Sequence, residues 1–360
     1  MATVNKIRVI DCDTHFWQPY ALWERFVDAE YRDAVATSLQ TALERSPIPK
    51  QSMDGVRGEG HRGGDHVDAR LEFMDAEGID TCVIYPSFMA LLPCLPDPEV
   101  ASAAARGLNR WSADFASAAP RRLKPCMVLP FYHPSRVLEE FEYASRELDL
   151  RVAFCPPTPS FDRAWSDSEM DPLWQSMQEA QVPLTFHEFT RFPDGSSNLV
   201  ARSYYQKSFI MMGLCSRVVE MQLTLMDLIL GGVLDRFPKL RVGMAEANVA
   251  WLPAWLALLD DKWENARTRG VESRKGLIDF TRSPSDQFRR QGFVVAFPDD
   301  LWLEETIKYL GPDNVMIGSD FPHPATRPNM VRTFDAANGS LSQEVRRKIL
   351  SENAVRVYGF

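Results

Sequence analysis

The chain has 360 residues, 45% hydrophobic and 25% charged, which provides the apolar material for a large core and excludes a disordered chain. A formal charge of -9 and an isoelectric point near 5.3 exclude general affinity for nucleic acid or anionic membrane surfaces, since both need a basic patch. The six cysteines, Cys12, Cys82, Cys94, Cys126, Cys155 and Cys215, form no CxxC pair and mostly lie in apolar runs, as reduced thiols in a cytoplasmic protein would. No signal-peptide pattern opens the sequence, and its most apolar long stretch, 211–234, is interrupted by Arg217, Glu220 and Asp227, so no membrane span is expected.

Short apolar or β-branched runs alternate with helical patterns from one end to the other. In chain order the predicted strands are 7–12 (IRVIDC), 80–85 (DTCVIY), 124–129 (KPCMVL), 151–155 (RVAFC), 182–187 (VPLTFH), 240–246 (LRVGMAE), 292–297 (GFVVAF) and 314–320 (NVMIGSD). Between them stand segments such as ARLEFMDAEG, SRVLEEFEYASRELD, DPLWQSMQEAQ and DDLWLEETIKYLG, whose apolar residues recur at three- and four-residue spacing. Eight such alternations predict an α/β protein, a (β/α)8 TIM barrel occupying residues 1–360 as one domain. Residues 42–68, rich in Gly and charge, read as an insertion after strand one that could serve as a lid. The region 201–238 is more apolar than one outer helix needs, which suits a cover for the barrel mouth or a subunit contact; a homodimer is the default expectation.

In such barrels the chemistry gathers at the C-terminal ends of the strands. Strand one ends in Asp13 and His15, two residues apart and so on one face of a regular strand; strand five ends in His187, strand six in Glu246 and strand eight in Asp320, with His323 three residues further on. Each has an ordinary use alone: His187 in a core hydrogen bond, Asp320 as a helix cap, Glu246 orienting a metal-bound imidazole, His323 in a turn. Brought together, these groups would carry uncompensated charge unless they bound a cation. His133 reads as the turn before a helix, and His61 and His66 fall in the insertion. Phe16, Trp17, Tyr85, Phe88, Met89, Phe131, Phe189 and Phe297 follow strand ends and would form an apolar pocket wall for a bulky small-molecule substrate. Arg57, Arg62 and Arg191 are candidates to meet a carboxylate or phosphate.

The stretches DCDTHFWQP, FHEF, AEANVAWLPAWLALLD and IGSDFPH, with RLEFMDAEGID and LNRW, resemble the amidohydrolase superfamily, in particular its amidohydrolase-2 branch of metal-dependent aromatic-acid decarboxylases. The resemblance implies a (β/α)8 barrel in which Asp13, His15, His187 and Asp320 match the family's metal ligands. Two positions depart from the family: Glu246 stands where its decarboxylases and hydrolases usually have a histidine, and RVAFCPPTPS lacks the lysine that bridges the metals of its binuclear hydrolases.

The carboxylate-rich set that remains favours two hard, redox-active ions, Fe in preference to Mn or a mixed pair, over a single Zn. Its ligand types resemble the dinuclear non-haem iron monooxygenases of the superfamily. The leading expectation is therefore an O2-dependent hydroxylase acting on a C–H bond of an apolar substrate, as in terpenoid tailoring. Asp13, His15, His187 and Asp320 would hold one metal, Glu246 and His323 would serve a second, Asp320 or Glu246 would bridge, and Glu246, Asp320 and His323 would carry the catalysis. The alternative is a decarboxylase or hydrolase of an aromatic carboxylic acid with one Zn or Mn, in which Glu246 handles the proton. A third reading is a non-catalytic barrel that partners an active homologous subunit.

Overall fold

The computed structural model describes residues 7–19, 21–44, 63–87, 95–131, 133–157, 163–187, 209–270, 281–323 and 326–360. Eight strands run in chain order around one sheet: β1 (Ile10–Phe16), β2 (Thr81–Pro86), β3 (Leu123–Val128), β4 (Val152–Cys155), β5 (Leu184–His187), β6 (Val242–Ala245), β7 (Gly292–Ala296) and β8 (Val315–Ile317). Each pairs in parallel with the next, with registers such as Cys126 opposite Val152, Leu184 opposite Val242 and Val294 opposite Val315. The strands are covered on both faces, inside by one another and outside by helices, which is why they read as continuous apolar runs rather than alternating ones. This is the barrel expected, with additional helices.

The outer helices begin and pack as their sequences dictate. Asp97 caps the helix Pro98–Ala116 by accepting from the amides of Glu99 and Val100, while Pro98 supplies the preset first turn. Its inner stripe, including Ala104, Leu108, Trp111 and Phe115, is buried against the barrel. Ser283 caps Pro284–Gln291 in the same way. Within the apolar region 201–238 the described part is Phe209–Leu214, a π-helical turn Cys215–Val219, and then Glu220–Leu230 and Val233–Arg236. Met221, Leu225, Leu228 and Ile229 pack into the core, whereas Ile210, Met211, Leu214 and Val219 are exposed. Of the expected insertion, residues 45–62 lie outside the described residues, as do Arg57, His61 and Arg62.

The barrel closes where β8 meets β1, and there the predicted ends shift. β1 runs four residues past its expected end, to Phe16, and β8 stops at Ile317, before Asp320. Asp320 donates its amide to the Asp13 carbonyl (2.8 Å) and His15 donates to that of Phe321 (2.6 Å). Deeper in the seam, Asp11 accepts from the amide (2.9 Å) and hydroxyl (2.6 Å) of Ser319. Gly318 makes this approach feasible: a Cβ there would lie 2.7 Å from the Asp13 nitrogen and 2.8 Å from its Cα. Gly318→Ala is expected to lower stability by about 2–3 kcal/mol through forced separation of the seam, measured by urea unfolding. An unchanged midpoint would show that β1 and β8 have room to part.

Candidate metal centre

The site is assembled from four strand ends. β1 carries one extra residue relative to β2 between Asp11 and Thr14, a bulge that re-aims the strand where Asp13 emerges. His187 is the last residue of β5. Glu246 and Asp320 follow β6 and β8 with left-handed backbones, φ 51° and 64°, a conformation that costs a non-glycine residue about 1–2 kcal/mol. The strain turns both carboxylates back over the barrel mouth, where Asp13, His15, His187, Glu246 and Asp320 are all buried.

The donor atoms converge on one region. His15 Nε2 lies 3.3 Å from Asp13 Oδ1 and 3.3 Å from Asp320 Oδ1. His187 Nε2 lies 3.2 Å from the same Asp13 oxygen and 3.5 Å from Glu246 Oε2. Neither ring nitrogen of His15 makes a hydrogen bond, and Asp320 Oδ2 is equally unsatisfied although buried. Ion–ligand bonds of about 2.0–2.2 Å in a tetrahedral arrangement place neighbouring donors about 3.3–3.6 Å apart, and the contacts of His15 with Asp13 and Asp320 and of His187 with Asp13 and Glu246 have this spacing. Among the described residues, Asp13, His15 and His187 form one group able to hold a metal, and His15, Asp320 and His323 form another that shares His15.

The electrostatics make the same demand. Burial alone would push Asp13 up and His15 down, but their pairing reverses both. His187 and His15 hold the Asp13 carboxyl below its usual range, while Asp13 and Asp320 raise His15 to about 10. Asp320 is held well below the carboxylate range by His323 and His15, against its burial. Positive charge is thus required at the point that His15 Nε2 faces, and a divalent cation meets the same requirement as a proton. Glu246 goes the other way: burial and the charge of Asp320 push its carboxyl up to about 7, despite His187 and Arg217.

The remaining residues are less uniform. His323 stacks on His15 (ring centroids 3.8 Å apart) with Nδ1 2.8 Å from Asp320 Oδ1 and Nε2 2.9 Å from the Ser87 hydroxyl, so both its nitrogens are engaged. Glu246 Oε1 accepts from Arg217 at 2.5 Å. Tyr85 packs beside His187 and His15, and Trp17 stands edge-on to His323. Phe16, in contrast, points away into a cluster with Trp111 and Phe115, and Phe131 packs on Trp165; neither forms the expected wall. Phe297 packs under Arg327. Phe88, Met89, Phe189, Arg191 and Cys94 lie outside the described residues. His133 precedes the helix Pro134–Arg146 as its sequence indicates, and His66 pairs with Asp65 on the surface. Arg217, Ser87 and Arg70 went unrecognised as contributors: Arg217 had been visible only as a charge interrupting an apolar helix.

The amidohydrolase family pattern matches residues 10–360. The chain belongs to the amidohydrolase family. A gamma-resorcylate decarboxylase of Rhizobium sp. (strain MTP-10005) is 23% identical over 313 residues, 83% of this chain and 88% of the relative. Among solved structures, 5-carboxyvanillate decarboxylase from Sphingomonas paucimobilis superposes with a TM-score of 0.75 at 23% identity, covering 98% of this chain and 99% of that one. A dihydroxybenzoic acid decarboxylase from Polaromonas sp. JS666, solved with bound manganese and the inhibitor 2-nitroresorcinol, gives 0.69 at 20% identity over 98% and 97% of the two chains.

These relatives overturn the expected assignment as an O2-dependent monooxygenase with a pair of iron ions, since they are aromatic-acid decarboxylases. Counting carboxylates misled the assignment because it took every acid and imidazole near the site as an available ligand. In the structure both nitrogens of His323 are occupied, by Asp320 and Ser87, and one oxygen of Glu246 is occupied by Arg217.

Arg70 fixes the backbone behind this site. Fully buried, it donates through Nη2 to the His15 carbonyl and through Nε to Gly63 (2.5 Å), and lies over the Phe321 ring, which itself stacks on Phe73. Arg70→Met leaves two carbonyls without this donor and is expected to cost about 2–4 kcal/mol in denaturant unfolding. A loss below about 0.5 kcal/mol would mean that other groups satisfy those carbonyls.

Proposed function

We propose that this protein is a metal-dependent enzyme that decarboxylates a hydroxylated aromatic carboxylic acid without O2. The observation that carries the reading is the convergence of Asp13, His15 and His187, joined by Asp320 through His15, with successive donors 3.2–3.3 Å apart. These four would hold one Mn2+ or Zn2+; manganese bound to the Polaromonas relative supports the choice of a hard divalent ion. When bound, such an ion supplies Lewis acidity toward the substrate's oxygen atoms. His323 orients Asp320, and the buried ring of Tyr85 packs beside the two ligand imidazoles.

The proton transfer is assigned to Glu246 in this reading. Arg217 occupies its Oε1, leaving Oε2, the oxygen on the His187 side, to carry and deliver it. The bond between the ring and the carboxylate breaks heterolytically, its electron pair stays on the ring carbon, the proton from Oε2 bonds there, and CO2 leaves. No electron acceptor enters the balance.

The test is CO2 release from ortho-hydroxylated benzoic acids by protein loaded with Mn2+ or Zn2+ under anaerobic conditions, abolished by chelation and restored by the metal. Elemental analysis is expected to find one equivalent per chain; two equivalents together with O2-dependent product would overturn the reading. Glu246→Ala is expected to keep that single ion while turnover falls about 10²- to 10⁴-fold. Loss of metal in this variant would instead make Glu246 a ligand.

A further inference from the structure

A carboxylic acid entering this site meets a concentration of like charge. Asp13, Glu246 and Asp320 together bring three carboxyl groups into one buried region, and a divalent ion offsets two of the charges they carry when ionised. Among the described residues, Arg217 is the cationic side chain in contact with one of these carboxylates. It reaches Glu246 from the π-helical turn Cys215–Val219, and its side chain remains 31% exposed while that of Glu246 is 8% exposed. One end of the pair is therefore buried in the site and the other is partly exposed. A π-helical turn inside a longer helix redirects the side chains it carries and recurs at functional positions. The turn here lies between Phe209–Leu214 and Glu220–Leu230, whose later residues anchor the segment in the core.

We infer that Arg217 is the specificity residue that receives the substrate's carboxylate, held at the edge of the site by Glu246. The inference rests on the reading of the substrate as an aromatic carboxylic acid. A guanidinium suits the task because its planar fork matches a carboxylate and keeps its charge at any working pH. Glu246 then has two connected tasks, aiming Arg217 through Oε1 and supplying the proton from Oε2. Arg217 touches the group that is lost as CO2, whereas the ring that remains as product offers it no charge. Recognition by Arg217 should consequently separate acid from product.

The experiment compares metal-loaded wild type, Arg217→Gln and Arg217→Lys by calorimetric titration with 2,6-dihydroxybenzoate and with resorcinol, which lacks only the carboxylate. Arg217→Gln is expected to weaken dihydroxybenzoate binding about 10- to 100-fold and resorcinol binding less than about threefold, with metal content unchanged. Arg217→Lys should recover part of the difference by restoring the charge without the fork. In turnover the loss should appear mainly in KM. Equal losses for both ligands, no loss for either, a fall in kcat alone, or failure of the wild type to prefer dihydroxybenzoate over resorcinol would each overturn the inference. Dihydroxybenzoate bound through Arg217 but never decarboxylated would sink the proposed reaction and leave the carboxylate site standing. CO2 release insensitive to Arg217 would do the reverse.

Discussion

Carboxylates repel one another most strongly where water cannot screen them, and this barrel buries Asp13, Glu246 and Asp320 together at its mouth. Each is there for a local reason: a strand bulge at Asp13 and left-handed backbones at Glu246 and Asp320. Such an arrangement is stable only if positive charge is delivered among the carboxylates. The imidazoles of His15 and His187 are aimed at the gap, Arg217 neutralises one edge, and the unsatisfied nitrogens of His15 mark where a cation would sit. The site's charge requirement and its capacity to hold a metal are one property described twice.

That geometry depends on how the barrel closes. Asp13 belongs to the first strand and Asp320 to the segment after the last, so their meeting is set by the seam rather than by local chain structure. Gly318 lets the two backbones approach, Asp11 binds Ser319, and the amides of His15 and Asp320 donate across the join to the carbonyls of Phe321 and Asp13. A displacement of 1 Å there would be transmitted directly to the ligand atoms, which is the tolerance within which metal and catalytic sites operate. Arg70 adds a second restraint by gripping the His15 carbonyl from behind. The buried polar groups around the site are thus employed in holding two strand ends at a fixed separation.

Much of this was legible in sequence, for a physical reason. Strands buried on both faces give short, continuous apolar runs, and all eight barrel strands fall within or against the predicted runs. The strand-end positions of Asp13, His15, His187, Glu246 and Asp320 followed from the same pattern. The bulge in β1 and the early end of β8 did not, because the first arises in the pairing of β1 with β2, about 70 residues further on, and the second at the seam between segments about 300 residues apart. Arg217 was invisible for a similar reason: its approach to Glu246 is created by a π-helical turn, which no hydrophobic period announces.

The availability of ligand atoms was the least legible property, and the cause is general. Residue type states what a side chain could coordinate, whereas coordination depends on which of its atoms remain available. His323 has the chemistry of a ligand, yet Asp320 and Ser87 take its two nitrogens; Glu246 has two oxygens, yet Arg217 takes one. After those hydrogen bonds are assigned, the donors that still face one another are Asp13, His15, His187 and Asp320, with Glu246 Oε2 at their edge. The substitution of a carboxylic acid for the family's usual histidine at that edge then acquires a meaning beyond ligand counting. A carboxyl group can be held by a guanidinium through one oxygen and manage a proton with the other, which in the proposed reaction would couple the recognition of a carboxylate to the step that removes it.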